Sequence, residues 1–97
     1  MATKDNTYHI KEAITLLIKA YAIEKKVTQA QVVDAYYSVA GTLIVNHTIS
    51  AKMQNETLHL SIDSAALRNE LLYLREELKA KINQKVGKPA VKTIKIR

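Results

Sequence analysis

The alternation of apolar and polar residues changes its period once, at residues 63–64. Before this point Leu58, Leu60 and Ile62 alternate with polar residues, which is typical of a half-buried β-strand. After it, apolar residues recur every three or four positions, which predicts one long helix with a core-facing stripe. The stripe consists of Leu67, Leu71, Leu74, Leu78 and Ile82. The rest of the chain is expected to cover this strand–helix unit.

The ends of this helix carry recognisable signals. Asp63 or Ser64 can cap its first turn by accepting a hydrogen bond from a free backbone N–H group. Gly87 can supply a left-handed exit, and Pro89 prevents the helix from continuing.

Two helices are predicted upstream. The first covers about Tyr8 to Lys25, after a start of residues 1–6 that we expect to be frayed. Its main apolar stripe consists of Ile10, Ile14, Leu17 and Tyr21. Leu16 and Ile23 lie on another side, so the helix should touch more than one neighbour. Packing within the fold is the favoured interpretation, and contact with a partner is the alternative.

The second helix should begin at Thr28–Gln31, which matches a capping box, and run to about Ala40. Gly41 should end or bend it, and residues 42–47 should form a short helical turn. A first strand follows, in which Ile49, Ala51 and Met53 alternate inward. Asn55 is the residue of the next turn best suited to a left-handed conformation.

A last strand is predicted over Val91–Arg97, with Ile94 and Ile96 inward. The order of elements is then α-α-β-β-α-β. It predicts an α+β fold, a two-layer sandwich in which helices cover one face of a small three-stranded sheet. Strands on either side of the long helix can be parallel through a right-handed crossover. Residues 1–97 are long enough for a single domain.

Charge is concentrated at one end of a chain whose net charge is +6. Residues 79–97 contain seven basic residues and no acidic one, whereas residues 1–78 hold eight basic and nine acidic residues. The absence of cysteine is compatible with a cytoplasmic protein. No apolar run is long enough for a membrane span, and the polar N-terminus does not resemble a signal peptide.

Catalytic chemistry is not indicated. His9, His47 and His59 are scattered over separate elements without metal-ligand spacing, so no metal or cofactor is expected. His59, Ser61 and Asp63 share one face of a strand, but an extended strand cannot assemble them into a proton relay. We therefore expect a protein that is not an enzyme.

The basic C-terminal region has two interpretations, a solvated surface or a surface that contacts nucleic-acid phosphates. Lysine outnumbers arginine there, which favours backbone contact over base recognition. The best candidates for phosphate contact are Lys79, Lys88, Lys95 and Arg97. Lys85 and Lys92 belong to the same set, although both share the helical or strand phase of inward residues.

Protein contacts have their own candidates. Leu72 and Tyr73 lie off the leucine stripe of the long helix, and Leu16 and Ile23 form the second apolar side of the first helix. An exposed pair of this kind marks a contact site or belongs to the normal apolar content of a surface. A homodimer through the first helix is one possibility left open.

Two segments resemble a known family. They are L-H-L-S-I-D-S-A-A-L-R-N-E-L (58–71) and P-A-V-K-T-I-K-I-R (89–97), joined by Ile82-Asn83 and Gly87. The chain is similar to DciA-like proteins, formerly a family of unknown function that includes bacterial loaders or operators of the replicative helicase. It is most similar to the short members found in Bacteroidetes-type bacteria. Tyr36 stands where the family usually has Trp, and Asn55-Glu56 replaces a Gly-containing turn.

The resemblance implies a KH-like fold and a non-enzymatic role in bacterial DNA replication, with the replicative helicase or DNA as partner. The G-x-x-G loop by which KH domains grip nucleic acid is missing from the sequence, so that binding mode is not expected. Two alternatives use the same features: a small RNA- or ribosome-associated protein, or a structural module that only binds other proteins.

Overall fold

The computed structural model of the protein describes the backbone of residues 2–97 and the side chains of residues 9–97. The side chains of residues 1–8 lie outside the described part, and the expected fraying of residues 1–6 stays a prediction. The elements in chain order are α1 (Ala2–Val39), α2 (Thr42–Asn46), β1 (Thr48–Gln54), β2 (Thr57–Ile62), α3 (Ala65–Tyr73), α4 (Arg75–Val86) and β3 (Thr93–Ile96).

The three strands form one mixed sheet in the order β1-β2-β3, with β1 and β2 antiparallel and β2 and β3 parallel. Helices cover one face of this sheet, so the predicted α+β fold with a small three-stranded sheet covered by helices is confirmed. The core lies between the two layers and contains residues from α1, β2, α3, α4 and β3, while β1 adds only partly buried side chains. Its buried side chains are Val32, Ala35, Tyr36, Leu58, Leu60, Ile62, Leu71, Leu78, Ile82, Val91 and Ile94.

The local signals at the strand–helix junction behave as predicted. Ser64 caps α3, since its hydroxyl accepts a 3.3 Å hydrogen bond from the N–H of Leu67. Gly87 ends α4 in the left-handed region at φ 88°, and Asn55 forms the β1–β2 turn at φ 56°. Each of these positions needs a short polar side chain or a residue that tolerates positive φ, which is why the sequence reveals them.

The two predicted upstream helices are one continuous helix, α1. The start predicted at Thr28–Gln31 is therefore wrong. A capping box is only useful where a helix begins, and neither Gly nor Pro interrupts residues 8–40 to create such a beginning. Only the C-terminal part of α1 contributes to the core, through Val32, Ala35 and Tyr36.

The first part of α1 buries none of its described side chains against the rest of the chain, although Lys25 near its end donates a 3.3 Å hydrogen bond to the Asn55 side chain of the β1–β2 turn. Every residue from 9 to 27 is exposed, and the molecule measures 69 × 22 × 18 Å along its principal axes. The favoured interpretation, that both apolar sides of the first helix are covered within the fold, is wrong for a single chain. We call residues 9–27 the arm.

Two further predictions are corrected. The long helix is divided at Leu74, whose backbone (φ −94°, ψ 6°) leaves the helical region between α3 and α4. Leu74 is 39% exposed, so it does not belong to the buried stripe with Leu71 and Leu78. In β1 the register shifts between Thr48 and Ser50, and this bulge turns Ile49 outward to 66% exposure.

Candidate nucleic-acid interface

The face of the sheet away from the helices is polar and basic. Because side chains alternate along a strand, the residues between the core positions of each strand point to this second face. We call it the open face. It is formed by Ser50, Lys52, Gln54, Thr57, His59, Ser61, Thr93, Lys95 and Arg97.

Strand pairing aligns the cations of the open face in adjacent rows. Lys52 is opposite His59, and His59 is opposite Lys95, so these three residues cross the sheet in one row. The next row contains Ser50 and Ser61. Arg97 joins that row because its N–H donates to Leu60 O at 2.9 Å and its carbonyl accepts from Ile62 N–H at 2.8 Å.

Positive charge is dense on the open face, and the nearest acids in the sequence, Glu56 and Asp63, lie just beyond the ends of β2. Strands lie about 4.8 Å apart and residues of one face about 6.6 Å apart along a strand, so Lys52, Lys95 and Arg97 fall within roughly 10–12 Å. None of the nine residues of this face is acidic. Two neighbouring acids are already engaged, Glu56 with Lys92 at 3.0 Å and Asp63 with the His47 ring at 2.7 Å.

Side-chain hydrogen bonds to the backbone hold the strands that carry this charge. The Asn83 amide donates to Val91 O and accepts from Val91 N–H, both at 2.9 Å, which fixes the approach to β3. Arg68 donates to Ile62 O at the end of β2. Through these bonds α4 holds the approach to β3 and α3 holds the end of β2, which are strands of the open face. Arg68 and Asn83 also belong to the part of the sequence that carries the family resemblance.

Two of the six predicted phosphate-contacting residues, Lys95 and Arg97, lie on the open face. Lys79 instead bonds Glu76 at 2.7 Å on α4, and this hydrogen bond with its positive charge lowers the pKa of Glu76. Lys92 precedes β3 and pairs with Glu56. Both lysines are thus partly neutralised by a neighbouring carboxylate.

The remaining two predicted residues lie at separate places. Lys88 borders an open cleft at the base of the arm, together with Tyr21 and Lys25. Lys85 borders a shallow cleft between α1 and α4, across from Asp34. The six residues that are neighbours in sequence therefore do not form one surface.

Lys52 and His59 were missed as members of a basic surface. An open groove on the sheet is bordered by both residues and by Arg97. The signal was present in the strand period: Lys52 lies between the inward Ala51 and Met53, and His59 between Leu58 and Leu60. Only the pairing of β1 with β2 shows that they meet the C-terminal cations.

The four candidate protein-contact residues are exposed. Tyr73, at the end of α3, is 91% exposed, and Leu72 beside it is about half exposed. Leu16 and Ile23 lie on the arm, where both are more than half exposed.

Among residues 9–97 no group of His, Asp and Glu side chains is placed to hold a metal ion. No helix in the described part of the chain is both long and apolar enough to cross a membrane.

The chain matches the model of a known protein family. The family model described as "Dna[CI] antecedent, DciA" matches residues 9–96, from the arm to the last residue of β3. No curated protein sequence matches the chain.

Proposed function

The chain belongs to the DciA family, the non-catalytic loaders and operators of the replicative helicase in replication initiation, and from this premise we propose that its open face holds DNA phosphates. The family implies interaction with both the helicase and DNA. We also propose that the protein acts in the bacterial cytoplasm, where replication occurs. The surfaces that contact the helicase and the DNA are assigned below.

The observation that carries the DNA assignment is the acid-free set of Lys52, Lys95 and Arg97 on one face. Clustered cations release the counterions that condense on nucleic acid, and this release supplies sequence-independent affinity. The nine residues of the open face include no Phe, Tyr or Trp, so the large aromatic rings on which bases usually stack are absent there. Contact is therefore to the backbone, with little dependence on base sequence.

Lysine protection should locate the DNA. The protein is treated with an amine-acetylating reagent, with and without a short single-stranded DNA, and each lysine is followed by mass spectrometry. We expect DNA to slow acetylation of Lys52 and Lys95 because phosphates cover their ammonium groups. Lys11 and Lys81 are exposed off the sheet and serve as internal controls. Protection of Lys79 and Lys85 without Lys52 would assign DNA to the α4 side instead.

RNA binding is the alternative use of the same surface. An RNA of the same length and sequence, used in the same protection experiment, separates the two. Stronger protection by RNA than by DNA at equal concentration would favour the RNA- or ribosome-associated role. Lack of protection by either, with retained helicase binding, would leave the module that binds only proteins.

For the helicase contact we propose Leu72 and Tyr73. They form an apolar projection at the α3–α4 junction, separate in sequence from the strands of the open face. Tyr is among the residue types that supply most of the affinity of protein contacts, and Leu72 adds apolar surface beside it. Tyr73→Ala with Leu72→Ser should weaken capture of the helicase at least tenfold while DNA binding stays unchanged. Glu77→Gln, an exposed change early in α4, is the control. Unchanged capture by the double variant would exclude this surface.

A further inference from the structure

The arm presents an apolar surface that this chain leaves uncovered. Eight large apolar side chains on it are each about half or more exposed: Ile10, Ile14, Leu16, Leu17, Ile18, Tyr21, Ile23 and Val27. A lone helix gains little stability in water without a packed apolar face, and contiguous apolar patches of this size mark interaction sites. The arm therefore requires a partner surface.

We propose that the arm packs antiparallel against the arm of a second copy of the chain. At 100° per residue, five apolar residues of the arm fall within an arc of about 80° and repeat at alternating spacings of three and four, as in a coiled-coil seam. They are Ala13, Leu16, Ala20, Ile23 and Val27. The two alanines leave room for a close approach of the helix axes.

Charge complementarity selects a second copy as the occupant. The proposed register places Leu16 of one copy beside Ala20 of the other. In this register Glu12 of one copy and Lys26 of the other lie at nearly the same level along the helices and on the same side of the seam. The twofold axis repeats this ion pair, so the interface contains it twice. At the twofold axis Lys19 of one copy lies beside Lys19 of the other, and this is the one like-charge contact on this side of the seam.

The other flank of the seam carries Ile10, Leu17 and Glu24, and there Leu17 lies beside Leu17 of the second copy. A nucleic acid would leave this apolar arc uncovered, because its contacts with proteins are dominated by phosphate. The proposal is independent of the open face, which lies on a different part of the molecule.

Apolar substitutions in the seam provide the first test. Sedimentation or light scattering of the full chain at micromolar concentration should give a dimer, and Leu16→Glu with Ile23→Glu should give a monomer. Residues 9–27 lie outside the core, so circular dichroism should show the folded domain retained in this variant. A wild-type monomer throughout the micromolar range, or a dimer that survives both substitutions, overturns the proposal.

A charge exchange tests the register. Glu12→Lys or Lys26→Glu alone places like charges at both ion pairs and should raise the dimer Kd about tenfold. The double variant exchanges the charges and should restore the wild-type Kd. Lys11→Glu, on the polar side of the arm, should leave the Kd within about twofold and serves as the matched control. Failure of the double variant to recover would overturn the antiparallel pair.

Discussion

Replacing Lys52, Lys95 and Arg97 together with glutamine should weaken DNA binding by roughly 10- to 500-fold at about 0.1 M salt. Each of these side chains extends from a strand whose other side is buried in the core, so all three are displayed without an acidic neighbour on their face. Glutamine keeps the length of the side chain and removes its charge. Fluorescence anisotropy with a short labelled DNA measures the change.

A variant with the same change in net charge separates local contact from overall charge. Lys79, Lys85 and Lys92 were also candidates from the sequence, yet they lie off the open face, and two of them pair with carboxylates. Their triple replacement with glutamine should cost less than about fivefold in affinity, because only long-range attraction is lost. Equal losses in both variants would mean that DNA responds only to total charge.

Leu71→Ala should lower the free energy of unfolding by about 2–5 kcal/mol. Leu71 is 1% exposed and lies in the core with the strand residues of β2 and the α4 residues Leu78 and Ile82, so truncation leaves a cavity that the sheet cannot fill. This is a large part of the roughly 5–15 kcal/mol that keeps a domain folded. Urea denaturation followed by circular dichroism measures it.

Leu74→Ala is the matched control for the cavity. Both leucines appear in the same stripe of the sequence, but Leu74 is 39% exposed at the α3–α4 junction. We expect its truncation to cost less than about 1.5 kcal/mol, since it removes only part of the burial of a side chain. Equal losses at the two positions would show that Leu74 is a core residue after all.

The fold was predictable wherever a short pattern determines the backbone. The alternation of Leu58, Leu60 and Ile62 defined β2, and Ser64 and Gly87 defined the ends of the helical region. Patterns that depend on context were less informative. Thr28–Gln31 has the composition of a helix start inside a continuous helix, and a bulge removes Ile49 from the inward side of β1.

Only part of the open face was predictable from the sequence, because its residues come from separate parts of the chain. Lys95 and Arg97 stood out because they belong to a stretch without acidic residues. Lys52 lies in a different part of the chain, and only its pairing through His59 brings it beside Lys95. Conversely, Lys79 and Lys85 are close to Lys95 in sequence, but α4 carries them on the layer behind the sheet. Strand order, which local periodicity does not specify, decides which cations share a face.

The packing of the arm was also only partly predictable from the sequence. Its two apolar sides were correctly recognised from the spacing of Ile10, Ile14, Leu16 and Ile23. Hydrophobic periodicity indicates that a face will be covered, but it does not distinguish cover by the same chain from cover by another. The length of α1, which extends the arm beyond the sheet, makes that distinction.

The most direct test of the central claim compares how the DNA affinities of the wild type and the Lys52, Lys95 and Arg97 triple variant depend on salt. Each phosphate contact contributes about 0.7–0.9 to the slope of log K against log salt concentration. If all three side chains contact phosphates, the slope of the triple variant should be smaller by about 2–3, while the variant at Lys79, Lys85 and Lys92 keeps the wild-type slope. An unchanged slope in the open-face variant would contradict the assignment of DNA to this face.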